Sequence, residues 1–238
     1  MQSVEPTRLA VAAWEMASQT DMAETVGVVL RAARDLTAAT EVGVMRLGSG
    51  QTVEIAGTST SAVQRADELQ LRFGEGPCLT ASRSGELCLV GDTRTDVRWP
   101  TWGPAAAGLG WNSILSLPLV AAGRGLGALN LYAAEQDSFR RVEVEIAQIF
   151  ARYAAMALAR RAHEEDLRET VERRHVIGQA QGVLMERYDL SADRALVALH
   201  RHADKHGADV YAVAQHVIGV RRLPEQPLHD RSTVSAAS

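Results

Sequence analysis

Apolar residues along this chain follow three regimes of spacing, and each change of period marks a change of structure. Near the start they recur every three or four positions. Leu9, Ala12, Ala13 and Met16 stripe one helical segment; Met22, Val26, Leu30, Ala33 and Leu36 stripe the next. The second opens on Asp21 with Glu24 three residues on, a capping-box arrangement. Residues 1–8 are short and polar and read as frayed. The period then drops to two. Glu41–Leu47 and residues 52–56, joined by Gly48-Ser49-Gly50, read as a hairpin. Residues 66–73 and 79–84 read as short helices around the turn-rich Gly74-Glu75-Gly76-Pro77-Cys78. Cys88–Val90 reads as a short strand, residues 96–102 as an irregular segment, and residues 114–120 and 126–132 as two longer strands. Pro118 marks an edge or a bulge in the first of these.

From Arg140 onward the three-four spacing returns and persists. Ile146, Ile149, Tyr153, Met156, Arg160, His163, Leu167, Thr170, Arg174, Ile177, Gln181, Leu184 and Tyr188 form one heptad seam. No Pro or Gly lies between Ser138 and Ile177, so one long helix is expected. Its seam predicts a parallel homodimeric coiled coil whose polar middle fixes the register. Asp189-Leu190-Ser191 breaks the pattern, and Ser191 is a natural N-cap with Asp193 in the first turn after it. The next helix buries Ala195, Leu196, Leu199 and Ala203 and ends at His206-Gly207. Asp209 caps a last one that buries Val210, Val213, Ala214, Val217 and Ile218. Helices this short persist only by sharing a core. Residues 220–238, with Pro224, Pro227 and a Ser/Ala-rich end, read as a disordered tail. The order of elements is that of an α+β fold and not of alternating βαβ units.

Composition narrows the function. No apolar run approaches a bilayer span and no secretory signal pattern opens the chain, so a cytoplasmic protein without a membrane partner is expected. Cys78 and Cys88 are the only cysteines, which excludes a disulfide scaffold. Residues 1–160 carry 14 basic and 17 acidic side chains, and residues 161–238 carry 11 and 12, giving −3 and −1. Any nucleic-acid contact must therefore come from a local cluster, such as Arg173, Arg174, Arg187, Arg194 and Arg201. All seven histidines lie at or after His163, so haem held by histidine is excluded from the part before it. His200, His202 and His206 are spread around their helix and do not read as a metal site.

The last stretch resembles the ANTAR family, the RNA-binding output module of bacterial transcription antiterminators. The residues carrying this are Ile177-x-x-Ala180-Gln181-Gly182-x-Leu184-Met185-x-Arg187, then Ser191-Ala192-Asp193-x-Ala195-x-x-x-Leu199, with Ala203 and Val213-Ala214. Gln181 stands where the family often has Lys. The earlier part resembles the GAF family of small-molecule sensor domains. Gly74-Glu75-Gly76-Pro77-Cys78, Asp92, Asp96-x-Arg98-Trp99-Pro100, Ser116-x-Pro118-Leu119, Gly127-x-Leu129-Asn130-Leu131 and Phe139 carry that resemblance, in the form common in actinobacterial GAF–ANTAR proteins. It implies an antiparallel sheet flanked by helices, a coiled-coil helix, and a C-terminal three-helix module. The expected boundaries are 1–20 for an N-terminal extension, 21–159 for the sensor domain, 160–176 for the connector, 177–219 for the RNA-binding module and 220–238 for the tail.

The resemblance also implies functional residues. Arg174, Gln181, Arg187, Arg201, Lys205 and His206 are the candidates for contact with RNA hairpins, through phosphate, through stacking, or, for Gln181, through a base edge. Cys78, Asp92, Asp96, Arg98, Trp99, Trp102 and Trp111 are the candidates for lining a small-molecule pocket. The alternative for the tryptophans is packing, with the pocket filled by the protein's own side chains; a partner protein is the alternative input. No catalytic residue, metal or cofactor is expected. Two other readings remain: an adaptor whose ANTAR module has drifted from RNA, and a GAF-type thiol redox enzyme using Cys78 and Cys88, which requires a thiol of low pKa.

Overall fold

The computed structural model describes residues 6–48 and 52–223. The chain divides into two compact units, Met1–His163 and Glu164–Ser238. No helix among the described residues is long and apolar enough to cross a membrane.

The first unit is built on five antiparallel strands: β1 (Glu41–Leu47), β2 (Val53–Thr58), β3 (Cys88–Val90), β4 (Ser113–Ala121) and β5 (Arg124–Ala133). Their order across the sheet is β2-β1-β5-β4-β3. Because side chains alternate along a strand, each strand sends two sets of residues to two faces. Val42 and Val44, Leu115, Leu117 and Leu119, and Leu129 and Leu131 pack on one face, all buried. Helices α1 (Pro6–Ser18) and α2 (Met22–Leu36) cover that face together with the first turns of α6 (Arg141–Tyr188), through Met16, Val29, Phe150 and Ala154. The opposite face carries Met45, Cys88, Val90, Ile114, Ala128 and Tyr132, covered by α3 (Ser61–Phe73), α4 (Pro77–Ser84) and α5 (Trp102–Gly108).

Local signals explain most of these boundaries. Asp21 caps α2 by accepting the Glu24 amide at 2.8 Å. Pro118 lies within β4, which β3 borders only as far as Ser116; beyond it β4 is locally an edge, and its register slips between Leu119 and Val120. Three expectations need correction. Residues 6–8 are helical and not frayed. Helix α3 begins at Ser61, capped by Thr60, five residues before the start read from the pattern. Helix α5 starts at Trp102, the last residue of the segment read as irregular, and runs to Gly108 through residues for which no element was read. The turn at residues 49–51, residues 1–5 and the tail from 224 lie outside the described residues.

The second unit is a three-helix core. Val176, Ala180 and Leu184 on α6 meet Ala195, Leu199 and Ala203 on α7 (Ala192–His206) and Val213, Ala214 and Val217 on α8 (Val210–Val220). Ser191 caps α7 by accepting the Arg194 amide, and Asp209 caps α8 by accepting that of Tyr211. Gly207, at φ 60°, ends α7 in the left-handed conformation that glycine adopts without a Cβ penalty. The heptad seam changes character along α6. Ile149, Tyr153, Met156 and Leu167 are exposed, whereas Leu184 is fully buried by its own chain and is unavailable to a second one.

Candidate functional site

In the first unit the tryptophans come together. Trp99, Trp102 and Trp111 are 5 %, 0 % and 7 % exposed, and with Tyr132 they fill the space between the sheet and α3. Trp102 meets Trp99 edge-on at 6.3 Å, and Trp111 tilts against Tyr132 at 5.5 Å. Their indole N–H groups are spent on α3: Trp102 donates to the Ala66 carbonyl at 3.0 Å and Trp111 to that of Ala62 at 3.4 Å. The Glu75 carboxylate accepts the amides of Thr101 and Trp102 at 2.7 and 2.6 Å, which anchors the start of α5 to the loop before α4. Gly103 is needed next, because a Cβ there would collide with the Thr93 carbonyl.

The other pocket candidates take different places. Arg98 stacks over Trp99 with its guanidinium carbon 4.4 Å from the ring. It forks onto Asp96 at 2.9 and 2.6 Å and donates to the Leu89 carbonyl at 2.6 Å. The hydrogen bond from Arg98 holds Asp96 below the usual carboxylate range. Asp92 accepts the Arg94 amide at 2.9 Å within a turn. Cys78 joins the buried cluster, its thiol 3.0 Å from the Met45 sulfur. Burial pushes the Cys78 thiol well up, aided by the nearby Asp67 carboxyl, and burial raises Cys88 too. Both therefore favour the unreactive thiol over the thiolate that redox chemistry needs.

Sequence reasoning missed the polar residues beneath these rings. Asp67 and Gln70 on α3, Asn130 and Tyr132 on β5, and Ser116 on β4 are all fully buried. One Asp67 oxygen, Oδ1, accepts from the Tyr132 hydroxyl at 2.5 Å, Asn130 Nδ2 at 3.0 Å and Gln70 Nε2 at 3.2 Å. Ser116 donates to Asn130 Oδ1 at 2.8 Å, and Gln70 Oε1 accepts the Cys78 amide at 2.9 Å. The available signal was spacing: Val63, Ala66, Asp67 and Gln70 share one helical face, which starting the helix at residue 66 concealed.

In the second unit, α7 turns Ala195, Leu199 and Ala203 inward and presents Arg194, Val197, Arg201 and Lys205 outward, three or four residues apart. An open groove of about 760 Å³ is lined by Leu196, Val197, His200, Arg201, Asp204 and Lys205. A neighbouring depression of about 310 Å³ is lined by Asp193, Arg194, Val197, Ala198 and Arg201. Of the residues expected to meet RNA, this face gathers Arg201 and Lys205, together with Arg194 of the basic cluster read from the charge pattern, and it adds His200. Arg174 is exposed on α6, and Arg187 lies near its end with its guanidinium carbon 5.9 Å from the Tyr188 ring. Gln181 donates its amide to the Ala192 carbonyl at 2.8 Å, tying α6 to the start of α7. His206 is half-buried, its ring tilted against that of His202 at 4.5 Å. Arg173 grips Asp209 at 2.6 and 2.7 Å and lies over Tyr211, an intramodule clasp. No group of three metal-ligating side chains is gathered among the described residues.

Comparison with known proteins gives the following. A family model described as "GAF domain" matches residues 19–159, and one described as "ANTAR domain" matches residues 165–218. No curated protein matches the chain. Among solved structures, a domain of a putative two-component sensor histidine kinase from Sinorhizobium meliloti 1021 is similar at 19 % identity and a TM-score of 0.52, over 63 % of this chain and 99 % of that one. The GAF domain of a phosphoenolpyruvate-protein phosphotransferase from Coxiella burnetii matches at 16 % identity and 0.54, over 67 % and 95 %. Free methionine-R-sulfoxide reductase from Neisseria meningitidis, in complex with its substrate, matches at 15 % identity and 0.52, over 69 % and 97 %. At these identities the likeness is one of fold.

Proposed function

We propose, from the premise that this chain belongs to the GAF domain family and carries an ANTAR domain behind it, that it is a non-enzymatic regulator of transcription antitermination. The GAF unit receives a signal. Each ANTAR module of a homodimer grips one RNA hairpin loop and so favours an antiterminator fold over a competing terminator stem. The observation that carries this reading is the outer face of α7. A module of near-neutral balance gathers Arg194, His200, Arg201 and Lys205, with Asp193 and Asp204 beside them, around open grooves where phosphate and unpaired bases can reach them.

Two further observations support it. Ile149, Tyr153, Met156 and Leu167 are exposed at heptad spacing on a helix of 48 residues, a stripe suited to a second copy of itself. Met156→Glu should then convert a dimer to a monomer in light scattering. Both cysteines are buried with raised thiol pKa, which disfavours a thiol enzyme.

The test is binding of the purified chain to RNA with tandem hairpins against a scrambled control across a salt series. Arg201→Ala and Lys205→Ala should each weaken binding and lower the salt slope by about 1 for each phosphate contact removed. Equal binding of both RNAs at low salt would reject RNA recognition and leave the adaptor reading.

A further inference from the structure

Asp67 is a fully buried carboxyl of the first unit that the tryptophan packing does not explain. It is fully enclosed, and all three of its donors, Tyr132, Asn130 and Gln70, go to Oδ1. Its other oxygen, Oδ2, has no partner and lies against Gly43 of β1, where any side chain would strike it. The groups facing it carry no positive charge. Strand β5 offers Tyr132 and Asn130, α4 offers the Cys78 thiol, β1 offers Gly43, and α3 itself offers Gln70. Tyr132 and Cys78 both have pKa values pushed upward and stay neutral. No lysine, arginine or histidine pairs with Asp67 among the described residues. A carboxylate in such a place carries a buried charge with no facing cation, eased only by its three hydrogen bonds. A proton on Oδ2 removes the charge and keeps the three bonds to Oδ1.

The carboxyl is also wired to its surroundings. Gln70 links it to the amide of Cys78 at the start of α4, and Gly76 leaves no room for a side chain against Gln70. Tyr132 and Asn130 link it to the sheet. Asp67 thus sits where α3, the Gly74–Pro77 loop and the sheet are pinned together. We propose that the signal received by this unit is the proton: its uptake by Asp67 locks α3 and the start of α4 onto the sheet, and its release lets them open. This builds on reading the unit as the sensor. Burial raises Asp67 from 3.8 to about 7, against the lowering by its three hydrogen bonds, which places the device in the physiological range. The closed form holds the proton up to about pH 7, whereas an opened, solvated Asp67 loses it near 3.9. Between those values, each pH unit upward favours opening about tenfold, and above the upper one the dependence levels off.

Hydrogen exchange on the full chain tests this. After correction for intrinsic exchange rates, opening of residues 61–84 should rise about fiftyfold from pH 5 to pH 7 and flatten above it. Asp67→Asn should abolish that slope, and residues 192–220 should lack it in both proteins. If Asp67→Asn does not fold, Tyr132→Phe serves, because removing a donor that favours the charged form shifts the plateau to higher pH. A flat wild-type profile, a slope that survives in Asp67→Asn, or a plateau unmoved in Tyr132→Phe would overturn the proposal. None of these readouts involves RNA, so their failure is separable from failure of the antitermination reading.

Discussion

Replacing Trp102 by alanine removes the largest side chain from the space where a ligand pocket was expected. Trp102 is fully buried, meets Trp99 edge-on, and donates its indole N–H to the Ala66 carbonyl. Buried Trp→Ala changes cost about 3–5 kcal/mol, through lost transfer energy and a cavity that the neighbours only partly close. In a unit of this size that corresponds to a melting point lower by roughly 10 °C. The backbone should hold its course, since the Glu75 contacts to α5 involve amides and not the ring. The vacated space borders Trp99 and Ala66 within the buried cluster, and such an apolar cavity accepts a matching aromatic molecule. Indole at ~10 times its Kd should restore about 1.4 kcal/mol, read as a rise in melting temperature absent from the wild type. A loss below about 1 kcal/mol, together with no response to indole, would refute the packing argument. The ring would then be a removable plug over a ligand site.

Three other outcomes follow from the same geometry. Leu199→Ala should destabilise the three-helix unit by about 2–5 kcal/mol, seen as an early melting step, while the first unit keeps its own transition. Cys78 should react with a thiol reagent only as fast as the native unit opens, and at the rate of a free thiol in denaturant; rapid native labelling would contradict its burial and raised pKa. Asp67 also makes global stability depend on pH. Its folded pKa of about 7 lies above the unfolded value, so its stabilising contribution is complete below about pH 4 and is lost as pH rises to about 7, a total of about 4 kcal/mol. Denaturant midpoints for wild type against Asp67→Asn across that window check it.

The legible parts of this chain are those whose cause is local. Strands β1, β4 and β5 announce themselves by alternation, and α2, α7 and α8 by their caps, because the deciding residues lie within a few positions of the boundary they set. Helix α5 was hidden because its sequence, Trp102-Gly103-Pro104, argues against a helix on local grounds. It forms because Pro104 falls in the first turn, where its missing N–H costs nothing, and because Glu75, 27 residues earlier, caps the amide of Trp102. The Asp67 cluster was hidden for the same reason: its bonds to Asn130 and Tyr132 span 63 and 65 residues.

The heptad seam shows a different limit. A period of three and four says that one face of α6 is covered, but not by what. Leu184 is covered by α7 and α8 of its own chain, while Met156, 63 % exposed, is left bare. The two belong to one repeat, yet only Leu184 is packed by its own chain. Along the seam the change falls between Leu167, 50 % exposed, and Leu184, which is fully buried. A coiled coil formed by this helix must therefore end before Leu184, whose side chain is committed within the module.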